Sequence, residues 1–140
     1  MKYMTKEWWE AVQKKSQEDR EYLKKARGLT LAFETLVLDA PGGVDRLLGA
    51  EIERGKMKKV TFEEKPAPSD WRTTPADLKK FLMRATGPYE TYAAVHKGEL
   101  PVFQAMTKGF KIEGDMTALM SKIQEYMCFQ DLQASVTVEY

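Results

Sequence analysis

Two glycine turns inside one alternating stretch limit what this chain can fold into. From Leu29 the sequence runs LTLAFETLVLD, then APGGV, then DRLLGAEIERG, then KMKKVTFEEK. In the first run Leu29, Leu31, Phe33 and Val37 share one side, with Thr30, Ala32 and Glu34 opposite. In the second, Leu48, Ala50 and Ile52 oppose Leu47, Glu51 and Glu53; in the third, Val60 and Phe62 oppose charges. Period two with branched and aromatic residues is the pattern of a half-buried strand. Pro-Gly-Gly and Arg54-Gly55 supply the reversals, because glycine tolerates positive φ. The stretch predicts a three-stranded antiparallel meander with one wet face.

Helix signals flank it. Thr5 to about Ala26 contains strong helix formers and no Gly or Pro, with Thr5 as cap and Trp8, Trp9, Val12, Leu23 and Ala26 as the apolar side. Its middle is weakly apolar, which predicts a surface position. Trp8 and Trp9 read either as clamps onto the sheet or as an exposed docking patch. PAPSDWRTTP is too polar and too broken for an element, and ADLKKFLMRAT is open between helix and strand. GPYETYAAVHKG is a short helix with Pro88 at its first position and Gly98 past its end. ELPVFQAMTKG repeats the device from Pro101 to Gly109, FKIEG is a strand, and Asp115 caps a last helix. In that helix Met116, Met120, Ile123 and Met127 form one continuous stripe, widened by Leu119 and Tyr126. The tail CFQDLQASVTVEY carries no pattern that assigns an element.

A chain of 140 residues is near the commonest domain size, and one domain over residues 1–140 is expected. With 22 basic and 21 acidic residues the net charge is +1, and the basic runs KKSQEDREYLKKAR and RGKMKK alternate with acids or read as solvated faces. No nucleic-acid partner is expected from that balance. No apolar run approaches the roughly 20 residues that span a bilayer, and MKYMTKEWWEAV has no signal-peptide core. The single cysteine, Cys128, cannot form an internal disulfide. A cytoplasmic protein is the expectation, with at most transient membrane contact.

Candidates for chemistry are few. His96 is the only histidine and has no second ligand at metal-binding spacing. Cys128 has no neighbouring base, and Asp45, Glu63, Glu64 and Asp115 form no recognisable acid–base pair. No enzyme, metal or cofactor is expected. The positive signal is apolar: Met83, Met106, Met116, Met120 and Met127, joined by Phe81, Tyr89, Tyr92, Phe103 and Phe110. Methionine is unbranched and polarisable, so such a surface is either core or the wall of a site that adapts to ligand shape.

The C-terminal half adds a resemblance. GPYE (87–90), GEL (98–100), QAMTKGFKIEGD (104–115) and ALM (118–120) occur in order at close spacing. Together they resemble the sterol carrier protein type-two domain family, in particular its small single-domain prokaryotic members. The similarity is strong over about residues 81–127, and the order of elements extends it to nearly the whole chain. It implies that KKFLMRA is a strand. It also implies an α+β fold: a five-stranded, mainly antiparallel sheet, helices over one face, and a hydrophobic tunnel between the layers. The implied function is non-catalytic binding and transfer of a lipid such as a fatty acid or acyl-CoA. Carried onto this sequence, the tunnel positions are Phe33, Ala50, Phe62, Phe81, Met83 and Ile112 on strands. The helices add Tyr92, Val95, Phe103, Met106, Leu119, Met120, Ile123 and Met127. Similar domains also occur appended to lipid-, quinone- or acyl-processing proteins. The alternative is therefore an interaction module, dimerising or presenting an apolar substrate.

Overall fold

The computed structural model describes residues 1–140, Met1 to Tyr140. Five strands form one sheet: β1 Leu31–Ala40, β2 Val44–Glu53, β3 Lys56–Pro66, β4 Met83–Pro88 and β5 Lys111–Gly114. Their spatial order is β3-β2-β1-β4-β5. The expected meander is its first half, with antiparallel pairing of β1 with β2 and β2 with β3. Both central residues of the β2–β3 hairpin, Arg54 (φ 51°) and Gly55 (φ 85°), are left-handed, as a tight two-residue reversal requires. β4 then joins β1 in parallel, and β5 closes the sheet antiparallel to β4.

Register decides what faces the helices. Phe33 pairs with Ala50 and Met83, Thr35 with Leu48 and Ala85, and Ala85 with Ile112, so all of these share the helix-covered side. The other side carries Glu34 and Arg84, an ion pair at 3.2 Å that is almost wholly buried. That side is drier than the expected wet face because the connection over 67–82 folds across it. Within the connection Asp70–Arg72 forms a 3-10 turn, and Trp71 and Phe81 are buried, as is Leu36 of β1. Arg84 Nη1 donates to the Thr74 carbonyl at 2.9 Å, and Asp45 accepts from the Ser69 amide and hydroxyl and from Arg72.

The N-terminal helix is two helices. α1 spans Lys6–Glu18 and α2 spans Arg20–Lys25, parted at Asp19, whose carboxylate caps α2 by accepting from the Tyr22 amide. The middle of α1 does not lie free on the surface. Its polar residues hold a bulge in β3, where pairing slips after Glu51 and the main chain of Met57 turns outward. The Met57 amide donates to Ser16 Oγ at 3.0 Å, and its carbonyl accepts from the side-chain amides of Gln13 and Gln17. Trp8 and Trp9 are clamps, 0% and 2% exposed, and the Trp9 indole donates to the Gly49 carbonyl at 3.0 Å. They are not available as an exposed docking patch.

The C-terminal half departs from expectation in two helices. α3, Tyr89–His96, starts one residue after Pro88, which still belongs to β4. The next helix is only α4, Val102–Gln104, running into a π turn over Ala105–Gly109 that closes with the Phe110 amide on the Ala105 carbonyl. The methionine helix breaks into α5, Met116–Met120, and α6, Ile123–Ala134. Asp115 does cap α5, accepting from the Ala118 amide at 2.9 Å. The break at Ser121–Lys122 parts the stripe: Met120, at the end of α5, is 45% exposed, while Met127 of α6 is half-buried. Beyond α6 the chain returns to its start. Glu139 bridges Lys2, with the Tyr3 amide on the Glu139 carbonyl and the Glu139 amide on the Met1 carbonyl, each at 2.9 Å.

Candidate functional site

The short side chains of Thr35 and Ala85 and the irregular wall segments leave space between sheet and helices. The floor is Phe33 and Thr35 of β1, Met83 and Ala85 of β4, and Ile112 of β5. One wall is α3 with Tyr92, Val95 and His96, continued by Gly98, Leu100, Pro101, Val102, Met106 and Phe110. α6 roofs it with Tyr126, Met127, Gln130, Asp131, Gln133 and Ala134, and Tyr3 and Met4 line another side. The cavity, open on one side, has a volume of about 270 Å³, and 15 of its 22 lining residues are hydrophobic. That is just under the ~300–1,000 Å³ typical of small-molecule sites.

Local chemistry explains why the wall stands where it does. Phe110 stacks on Tyr92, centroids 4.4 Å apart. It can do so because residue 87 is glycine: a Cβ there would stand 2.4 Å from the Phe110 ring. Gly109 likewise lets the chain pass Thr91, whose methyl would lie 2.8 Å from an added Cβ. The glycines of GPYE and TKGF thus shape the cavity through contact.

The polar groups at the cavity are mostly committed to the protein. Tyr92 donates from its hydroxyl to the Ala85 carbonyl at 2.9 Å, and Tyr3 donates to the Tyr92 carbonyl at 3.3 Å. Burial pushes the Tyr3 and Tyr92 phenols well above their ordinary value. Tyr126 is pushed up to about 12, again by burial, against an opposing hydrogen bond from Gln130. His96 packs in an aromatic cluster with Tyr3 and Tyr140, ring centroids 4.4 and 5.6 Å away. Its ring nitrogens meet the Tyr140 hydroxyl and the Gln133 carbonyl. Burial lowers its pKa, only partly opposed by the Gln133 carbonyl, and so favours the neutral imidazole. No group of three or more His, Cys, Asp or Glu side chains is placed to hold a metal ion. The arrangement can take up an apolar chain.

Of the fourteen positions read from the sequence, the structure brings seven together at the cavity: Phe33, Met83, Tyr92, Val95, Met106, Ile112 and Met127. The other seven lie elsewhere. Ala50 and Leu119 are packed in the core, and Ile123 is half-buried against it. Phe62 sits on the outer strand β3, two strands from Phe33. Phe81 has the parity of Met83, but a turn at Asp77–Lys80 precedes it and alternation begins only at Met83. Its ring rests against Gly49, on the Glu34 side of the sheet. Phe103 and Met120 are 46% and 45% exposed. Sequence reasoning missed Thr35 and Ala85, although the parity of Phe33 and Met83 points to them. It had no signal for Tyr3, Met4 or the Gln130–Ala134 roof.

No protein-family model matches the chain, and no curated protein matches it in sequence. Solved structures do match its fold. A solution structure of a conserved hypothetical protein from Thermus thermophilus, described as possibly a sterol carrier protein, superposes with a TM-score of 0.77 at 18% identity. The match covers 99% of this chain and 92% of that one. A crystal structure of sterol carrier protein 2 gives 0.72 at 18% identity, covering 95% and 98%. Apo sterol carrier protein 2 from Yarrowia lipolytica gives 0.57 at 8% identity, covering 91% and 90%.

Proposed function

With the sterol carrier protein 2 fold as premise, we propose that this protein is a non-catalytic lipid-binding and transfer protein that holds one acyl or similar chain in the cavity beneath α6. The single observation that carries the reading is the partly open, mainly apolar cavity of about 270 Å³ lined by Met83, Met106 and Met127. At the ~30 Å³ that a water-sized group occupies in a liquid, it accommodates on the order of nine methylenes. Burying them at ~0.8 kcal/mol each contributes roughly 7 kcal/mol before the costs of association. Affinity for the chain alone is then no tighter than about micromolar. Thioether side chains let the same wall fit straight, branched or ring-bearing chains. A fatty acyl chain longer than the cavity would leave through the rim at Gly98–Val102 and Ala134. No helix is long and apolar enough to cross a membrane, and contact with membranes is read as transient, during loading and release.

The test is a homologous series of single-chain amphiphiles from six to sixteen carbons, measured by calorimetry. Affinity should rise about fourfold per carbon, the equivalent of ~0.8 kcal/mol, and level off near nine or ten carbons. A series with no dependence on chain length would sink the reading. Native mass spectrometry of the purified protein, followed by lipid extraction, would name a cargo class.

A further inference from the structure

The charges around the cavity say what kind of polar end the chain can carry. None of the 22 lining residues is a lysine or an arginine. Tyr3, Tyr92 and Tyr126 are uncharged at neutral pH, and burial favours the neutral form of His96, for the reasons given above. That leaves Asp131, at the exposed end of the α6 wall, as the one charged lining side chain, and it is negative. Two helices also end against the cavity: α3 at Val95 and His96, and α6 at Gln133 and Ala134. Each C-terminus contributes a partial negative charge of about half an electron. The nearby cations are engaged elsewhere. Arg46 binds Glu64 and the carbonyls of Met4 and Pro41, Lys97 lies over the Tyr140 ring at 4.5 Å, and Lys15 donates to Ser135 Oγ just past the end of α6 at 2.6 Å.

A carboxylate entering this space would meet negative potential and no cation, after losing its water shell. An uncharged oxygen meets something better. Thr35 lines the cavity from mid-sheet, and on the roof the Tyr126 phenol and the Gln130 side chain, already hydrogen-bonded to each other, can also meet an uncharged oxygen. We infer that, given the lipid-binding reading, the cavity selects uncharged single-chain amphiphiles, whose alcohol, ester or ketone oxygen is received by Thr35, Tyr126 and Gln130, over ionised fatty acids. Cargo of this class is what a reductase or esterase acting on lipid chains would release or consume.

The experiment compares decan-1-ol, methyl decanoate, decanoate and decylamine, all with the same chain, by calorimetry at pH 7.5. Decan-1-ol and methyl decanoate should bind at least tenfold more tightly than decanoate. Decanoate binding as well as decan-1-ol overturns the inference while leaving the lipid-binding reading intact. Decylamine binding more tightly than decan-1-ol overturns it too, in favour of a cationic cargo. Binding of none of the four removes the lipid-binding reading and the inference with it. Asp131→Asn, an exposed change that should leave folding intact, should narrow the decanol-to-decanoate ratio at least threefold. Thr35→Val should weaken decan-1-ol several-fold more than it weakens decane. An unchanged ratio in folded Asp131→Asn would show that wall charge does not set the preference.

Discussion

Phe110 lies nearly flat on Tyr92, with an interplanar angle of 28°, and reaches that position only by crossing the bare α-carbon of Gly87. One aromatic pair thereby ties β4, the start of β5 and α3 together at the cavity wall. Gly87→Ala should cost about 1–3 kcal/mol, as overpacking does, and should weaken chain binding because the displaced ring moves the wall. Denaturant unfolding checks the first effect and calorimetry the second. If the clash is the cause, adding Phe110→Ala should make Gly87→Ala nearly neutral, a non-additivity that a double-mutant cycle reads directly.

The two adjacent tryptophans should respond unequally to the same change. Trp9 gives its indole N–H to the Gly49 carbonyl, whereas the Trp8 Nε1 has no partner. Replacing Trp9 by Phe removes this buried hydrogen bond at a cost of about 1 kcal/mol beyond lost volume. Trp8→Phe loses volume but relieves an unpaired donor. Trp9→Phe should be the more destabilised of the two. Equal losses would mean the indole hydrogen bond contributes little.

Acid should loosen the buried side of the sheet first. Hydrogen bonds from Arg72, and then from Ser69, hold the Asp45 carboxyl well below the usual carboxylate range against the opposing effect of burial. Its folded pKa is depressed relative to an unfolded value of about 3.9. The stability it contributes is therefore complete above that value and is lost as pH falls towards the folded pKa. Unfolding free energy measured from pH 7 to pH 2 should decline below about pH 4. In Asp45→Asn that decline should flatten, with a loss of about 1–3 kcal/mol already present at pH 7.

Met120 and Met127 are seven residues apart and would share a face on an unbroken helix. The break after α5 sends Met127 to the cavity and leaves Met120 in solvent. Met127→Lys should abolish decan-1-ol binding, since it places a charge in the apolar wall. Met120→Lys should leave binding within twofold. The opposite order, in variants shown to be folded by circular dichroism, would return the binding surface to the unbroken stripe.

The sheet was legible because its information is local. Alternation from Leu31 to Phe62 and the Arg54-Gly55 reversal give strand, face and partner together, so Phe33 could be placed on its side from local pattern, whereas the strand of Met83 was assigned only through the family resemblance. Where parity passes through a turn, it fails, and Phe81 ended on the wrong face. Helix breaks were also hidden. Asp19 and Ser121–Lys122 involve no proline or glycine, and only tertiary packing makes the break worthwhile. Polar residues misled for a related reason: Gln13, Ser16 and Gln17 look like a solvated helix face, yet they satisfy the exposed main chain of a bulge 40 or so residues away. Tyr3, His96 and Tyr140 meet across nearly the whole chain, and no window of sequence contains that fact.

The bridge between Lys2 and Glu139 has a consequence for how the chain can be rewired. The segments on either side of it run side by side, joined by a pair of main-chain hydrogen bonds, so the backbone is almost a closed ring. Joining Met1 to Tyr140 through a short glycine-serine link should cost little, and new ends could be cut at the exposed Gly98–Pro101 rim. Such a permutant would keep every strand pairing while freeing the rim segments from each other, turning the entrance to the cavity into the most mobile part of the molecule.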